Sequence, residues 1–333
     1  MLAVALAGLG AGCGTETPPA TAFSPGLVSS DNHRLSAAAA GKLGADVVRV
    51  EFDIGTPVAS MGKSVAAIAR RGARPLLLAG FHGRMPSEAE ARNLGRWAAA
   101  FGRGGSFWAN KRRLRHLAIK QIEFGNETSY RDQYGDTSSD QSYQDRAELY
   151  ATRFVQAHAA VAARHRHVGL LAQADDGGTA SSTWVNHMFD AVPKLGRLVD
   201  GWTVHPYGPR SRWEPKLDRL IEQTSANGAS AKIPIDVTEY GVSSDDGAGL
   251  TDNYGWPANL TYAQAAAALR STIADMRRDP QIGSRLRLFI VYAAHDLRPP
   301  RTTNDREAYF GALQHDLAAK GAYSAEVRRL FHR

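Results

Sequence analysis

Cysteine is almost missing from this chain: of 333 residues only Cys13 carries a thiol. One cysteine excludes an internal disulfide framework and a cysteine-rich metal site. Also missing is any glycine-rich phosphate loop after a strand-like run, which removes the usual mark of a nucleotide-binding open sheet. After residue 22 there is no linker, no shift in composition and no sequence repeat. Acidic residues are in deficit, 33 against 40 Lys+Arg, for a net charge of +7. The basic residues are scattered as pairs such as Arg70-Arg71, Arg277-Arg278 and Arg328-Arg329, and the densest group, Lys111-Arg112-Arg113 with Arg115, precedes a strand. No nucleic-acid-binding motif accompanies them, so they read as solvated helix ends and no nucleic-acid partner is expected.

What is present begins with an apolar segment, Leu2 to Gly12, that ends at Cys13 and gives way to the polar stretch Gly14 to Ala20. Its length suits a signal h-region and is too short for a membrane span. Small residues before a lone cysteine read as a bacterial lipoprotein signal with Cys13 as the lipidated residue. A plain secretory signal is the alternative, and both predict export to the cell envelope or medium. The expected division is 1–22 as signal and tether and 23–333 as one catalytic domain, with membrane contact only through Cys13.

From residue 23 short apolar runs alternate with alanine-rich helical patterns, the mark of a parallel α/β fold. Strands are expected at 23–29, 46–52, 75–81, 117–124, 168–174, 201–204, 233–238 and 286–292. Helices are expected at 35–43, 63–71, 88–101, 145–164, 182–195, 213–227, 263–278 and 305–320. Eight strand–helix pairs predict a closed (β/α)8 barrel, which needs about 250 residues plus insertions. Long polar loops follow strands four, seven and eight, on the face where barrel enzymes build their sites. They carry Tyr130, Tyr134, Tyr143, Tyr254 and Trp256, flat rings that suit the apolar faces of sugars.

Two of the runs deliver a glutamate at the strand's C-terminal end: Glu127 after Asn126, and Glu239 within Val237-Thr-Glu-Tyr-Gly241. Two carboxylates facing each other are the minimum machinery for cleaving a glycosidic bond. One of them must donate a proton, which calls for a pKa raised by burial or by a neighbouring negative charge. The other must stay ionised, held by donors. Arg49, amid β-branched residues in strand two, is a donor that could point into the lumen. His205 and Tyr207 of Val204-His-Pro-Tyr207 lie two apart, so they share a face. Asn126 can both give and accept a hydrogen bond from a sugar hydroxyl.

Together these residues resemble the clan A glycoside hydrolases, the (β/α)8 group that includes families 5, 39 and 51. Ile122-Glu-Phe-Gly-Asn-Glu127 is similar to the family-39-like pattern, in which a further glutamate, here Glu123, lies four residues before the acid/base. The resemblance implies that Glu127 is acid/base, Glu239 nucleophile and Asn126 a ligand of the sugar 2-hydroxyl. Tyr207 would contact the nucleophile, and Arg49 matches the strand-two arginine. The chain departs from the pattern at Gly125, where relatives often carry Trp, and at Thr128, where Pro is common. Tyr292 stands where a Trp usually floors the subsite of the cleaved sugar. The expected activity is retaining hydrolysis of an oligo- or polysaccharide by a monomer without metal or organic cofactor. Arg210, Arg212 and Arg298 near the expected cleft leave room for acidic glycans. A non-catalytic carbohydrate-binding barrel is the rival reading. An aldolase would want a strand-end lysine, and Lys120 and Lys232 are misplaced for it.

Overall fold

The computed structural model describes residues 23–332 except 31, 131–142, 166 and 175–181. Cys13, the rest of the 1–22 segment and Tyr134 therefore lie outside the described residues. Eight parallel strands close on themselves in sequence order, each pairing with the next and β8 with β1. The strands are β1 Ser24–Val28, β2 Val47–Asp53, β3 Arg74–Gly80, β4 Gln121–Phe124, β5 Gly169–Gln173, β6 Trp202–Val204, β7 Ile235–Tyr240 and β8 Leu286–Val291. Between and after them run α1 His33–Leu43, α2 Val58–Ala69, α3 Glu88–Phe101, α4 Tyr143–Arg164, α5 Trp184–Ala191, α6 Arg210–Ala226, α7 Tyr262–Arg278 and α8 Gly321–Phe331. This is the (β/α)8 barrel that the alternation predicts. Among the described residues no helix is long and apolar enough to cross a membrane.

Strand alternation sorts the core into two. Val48 and Val50 of β2 join the large apolar shell between strands and helices, with Trp97, Trp213 and Phe154. Val47, on the opposite face, packs in the barrel lumen with Leu76, Leu171, Leu288 and Ile290. Arg49 and Glu51 follow Val47 at two-residue steps and so share that inward face, above the apolar plug. Helix starts are fixed locally where the sequence allows it. Ser87 with Glu90 and Thr261 with Gln264 form capping boxes that satisfy the first orphan N–H groups of α3 and α7.

The last helix is not where the pattern put it. Residues 305–320 form a single 3-10 turn, Arg306–Tyr309, and then irregular chain; α8 begins only at Gly321. The backbone polar groups there have other partners. Gly311 N–H donates to Asp296 Oδ1 at 2.8 Å, and Leu313 bridges to His295. A Cβ on Gly311 would fall 2.0 Å from the Asp296 nitrogen, so glycine permits the close approach. Lys320, fully buried, donates to Asp296 Oδ1 at 3.0 Å and to the Tyr309 carbonyl at 2.8 Å. Alanine-rich composition mimicked a helix in a segment that instead straps the post-β8 loop. Strand four is also shorter than expected, because 112–117 turns as a 3-10 helix before it.

Candidate active site

At the C-terminal mouth of the barrel lies a cleft of about 440 Å³. Arg49, Asn126, Glu127, Tyr207, Glu239 and Tyr292, all singled out from sequence, line it. Their side chains are brought together by five strands far apart in the chain.

Arg49 is the hub. Its guanidinium, 2% exposed, donates through Nε to Glu123 Oε2 at 2.5 Å, through Nη1 to Glu239 Oε1 at 2.5 Å and through Nη2 to Asn126 Oδ1 at 2.8 Å. Burial works against the charge, but Glu123 and Glu239 more than offset it and hold the guanidinium firmly protonated. A fork with three separately aimed donors suits arginine alone among the cations.

Glu239 receives a second donor, the Tyr207 hydroxyl, at 2.8 Å from Oε2. Burial, then the Glu239 charge beside it, pushes the Tyr207 phenol well above its ordinary range, so it stays a donor. Sequence alternation alone would not bring both Thr238 and Glu239 inside. The β7–β8 register supplies the reason: Val237 pairs with Phe289 but Tyr240 with Val291, three residues against two. That bulge reverses the parity of the strand. Thr238 therefore donates to Glu123 Oε1 at 2.8 Å, the next residue meets Arg49, and Tyr240 turns outward to the Gly208 carbonyl.

Glu127 leaves β4 through a turn in which both Gly125 and Glu127 have positive φ, 85° and 44°. A Cβ at Gly125 would lie 2.3 Å from Thr128 Cγ2 and 2.9 Å from the Phe81 ring, so the residue pair Gly125 and Thr128 are matched to each other. A non-glycine residue in the left-handed region is uncommon and costs about 1–3 kcal/mol, a strain that collects at functional sites. The Glu127 carboxylate meets His205 Nδ1 at 3.1 Å, and the same nitrogen lies 3.7 Å from Glu239 Oε2. His205 Nε2 faces Thr238 Oγ1 at 3.2 Å. Burial drives the Glu127 carboxyl up, but the His205 hydrogen bond and the charges of His205, Arg49 and Lys216 leave it below the ordinary glutamate value. That differs from the raised pKa expected of a proton donor, and its cause is His205, whose contact with Glu127 the motif did not reveal.

Among the described residues one group of possible metal ligands stands out: Glu127, His205 and Glu239 offer atoms within 4.8 Å of one another. Arg49 and the Tyr207 hydroxyl already occupy the two oxygens of Glu239, so the group is built as a charge and proton array.

Trp256 does not line the cleft; it packs against the apolar shell. Tyr254, two residues earlier, forms that wall, stacked on Tyr207 with ring centroids 4.7 Å apart. Burial pushes the Tyr254 hydroxyl up to about 12. Tyr292, joined to Ala293 by a cis peptide, closes the floor against Tyr207 and Phe310. Of the arginines proposed for acidic glycans, Arg210, Arg212 and Arg298 all lie outside the lining. Two carboxylates that do line it, Glu51 and Glu307, carried no sequence motif. Glu51 was within reach of the alternation argument, being two residues from Arg49.

No protein-family profile matches the chain, and no curated protein does. Solved structures do. A family 39 glycoside hydrolase from the gut symbiont Bacteroides cellulosilyticus WH2 is 18% identical over 91% of this chain and 62% of its own, with a TM-score of 0.60. A Bacteroides uniformis β-glucuronidase is 13% identical over 92% of this chain and 34% of its own, at 0.55. A GH5_18 protein from Streptomyces cattleya, solved with Manβ1-4GlcNAc, is 16% identical over 93% of this chain and 80% of its own, at 0.63. The chain thus spans less than two thirds of the first two. At these identities the likeness shows a shared barrel fold.

Proposed function

We propose that this protein is a retaining glycoside hydrolase of clan A type. The observation that carries the proposal is the approach of a Glu127 oxygen and a Glu239 oxygen to within 4.8 Å. Retaining enzymes hold their carboxyl groups about 5–5.5 Å apart and inverting ones about 6.5–9.5 Å, because only the latter must admit a water between carboxylate and sugar.

In this reading Glu239 attacks the anomeric carbon. Arg49 and Tyr207 hold its two oxygens, which fixes the direction of attack. The proton for the leaving oxygen is held between Glu127 and His205 Nδ1, 3.1 Å apart. Once the glycosyl–enzyme ester has formed, Glu127 is left as a carboxylate and acts as base on the incoming water. Asn126, oriented by Arg49 Nη2 on its Oδ1, presents its amide N–H2 to a sugar hydroxyl. The sugar ring would lie against Tyr254 and Tyr292.

The test is Glu239→Ala with sodium azide and an activated aryl glycoside. Formation of a glycosyl azide of inverted configuration is expected; undiminished hydrolysis by the variant without azide defeats the assignment. A sugar-binding barrel without catalysis would bind the same glycosides and hydrolyse none. Export through the 1–22 segment is proposed on its sequence alone. Incorporation of radiolabelled palmitate that disappears in Cys13→Ser tests lipidation.

A further inference from the structure

The cleft contains a carboxylate that the proposed chemistry does not use. Glu51 lies two residues beyond Arg49 on β2, on the same inward face, and its side chain lines the cavity. Among the described residues its one ion-pair partner is His82 Nε2 at 3.6 Å, too far for a hydrogen bond. Space has been left for it: a Cβ on Gly80, the residue after Ala79 on β3, would stand 2.0 Å from Glu51 Oε1. Arg49, the cation of the lining, is already committed to Glu123 and Glu239. Arg306, at the rim, is committed to Asp252 and Glu307 and lies 3.9 Å over the Tyr254 ring. Burial, against the opposing pull of Arg49 and His82, raises the Glu51 carboxyl above its ordinary value, while 41% of its side chain stays open towards the cleft.

We infer that Glu51 determines substrate specificity: it accepts hydrogen bonds from the donor groups of the sugar in the reacting subsite, and selects rings with free hydroxyl or ammonium donors against rings with a carboxylate. The inference rests on the glycosidase reading for the site but not for its own test, since it concerns recognition. A carboxylate has acceptors only. Two adjacent hydroxyls can satisfy it in bidentate fashion, and an ammonium can do so with charge assistance. A uronic acid would bring a further negative charge among Glu51, Glu127, Glu239 and Glu307, with no uncommitted cation among the described lining residues to receive it. The net positive charge of the whole chain is therefore a poor guide to its substrate, because the described lining residues carry four carboxylates against Arg49.

Two measurements test this. Nitrophenyl glycosides of gluco, galacto, manno and xylo configuration are compared with the corresponding hexuronides and 2-amino sugars, and the matching methyl glycosides are titrated by saturation-transfer NMR. The best neutral or amino sugar is expected to exceed its uronide at least ~30-fold in kcat/KM and to bind while the uronide does not. An amino sugar above its hydroxyl counterpart assigns the donor as ammonium, and the reverse assigns it as hydroxyl. Glu51→Gln, which keeps the shape and removes the charge, should narrow the neutral-to-uronide ratio about tenfold. Gly80→Ala, which crowds the carboxylate from β3, should narrow it too. A uronide preferred by the wild type, or a ratio unchanged in Glu51→Gln, overturns the inference. Binding discrimination without hydrolysis of any glycoside would defeat the proposed function while sustaining Glu51; absence of binding by every sugar defeats both.

Discussion

Replacing Arg49 with methionine keeps an unbranched apolar stem and deletes the three engaged donor nitrogens. In the wild type the guanidinium stands between two carboxylates, Glu123 with no exposure and Glu239 at 8%. Each lies 2.5 Å from it. Removing one partner of a buried ion pair costs about 3–5 kcal/mol, mostly because the surviving charge stays buried without compensation. Here two charges survive, so Arg49→Met should fall at the upper end, near 5 kcal/mol at pH 7. Urea unfolding followed by circular dichroism measures this as a lower midpoint at unchanged slope. The reasoning has a sharper consequence in a double variant. Glu123→Gln removes one orphaned charge while the Thr238 hydroxyl and the lumen shape remain, so adding it to Arg49→Met should restore at least about 2 kcal/mol. If the proposed function holds, the restored protein should stay inactive, because Glu239 keeps the Tyr207 hydroxyl but still lacks the Arg49 donor. Arg49→Lys should recover less than half of the stability, since one ammonium cannot replace a fork aimed at Glu123, Glu239 and Asn126. A loss under 1 kcal/mol in Arg49→Met, or a second loss on adding Glu123→Gln, would refute the account of Arg49 as the electrostatic hub.

Three further outcomes follow from the same geometry. Tyr207→Phe removes a hydrogen bond to a charged group, worth about 1.5–3 kcal/mol, and should lower kcat/KM roughly 10- to 100-fold while the fold is retained, checked by aryl glycoside kinetics and thermal melting. Tyr254→Ala should raise KM several-fold, whereas Trp256→Phe should change KM less than twofold and act mainly on the melting temperature; equal effects on KM would contradict the placement of the two rings. Asp296, 1% exposed, has its carboxyl pushed up to about 7 by burial, against the opposing pull of Lys320. Between about pH 4 and pH 7 the folded state holds a proton that the unfolded chain has released, so stability falls as pH rises through that window, by up to about 4 kcal/mol at 1.36 kcal/mol per unit. Asp296→Asn should flatten this slope in urea titrations at stepped pH, and an identical slope would reject the assignment.

The barrel was legible because its grammar is local. Eight apolar runs with intervening helical periodicity repeat often enough that no single misreading changes the topology. The helix expected at 305–320 failed for the converse reason. Its backbone is satisfied by Asp296 and His295, contacts that depend on a segment the helical periodicity of 305–320 cannot sense. The proposed catalytic pair was visible in two short motifs, since a glutamate closing an apolar strand is conspicuous. The inward turn of Thr238 was not, because a bulge in the β7–β8 register has no compositional mark. Nor was the fall of the Glu127 pKa, which needs His205 delivered from another strand. Trp256 and Tyr254 show the limit of reading loops: the two aromatic residues that flank Gly255 divide between core and wall by a turn the sequence leaves unspecified.

The hub also has a temporal meaning. Arg49 and Glu123 are 74 residues apart, and Arg49 and Glu239 are 190 apart. A chain folding from its N-terminal half would pair Arg49 with Glu123 first, giving a neutral couple inside an open half-barrel. The half that carries β6 and β7 arrives later and must set a second carboxylate on a cation already taken, a step tolerable only once Tyr207 and His205 arrive with it. The proposed site therefore exists only in the closed barrel, since Arg49 and Glu123 come from its first half and Glu239, Tyr207 and His205 from its second.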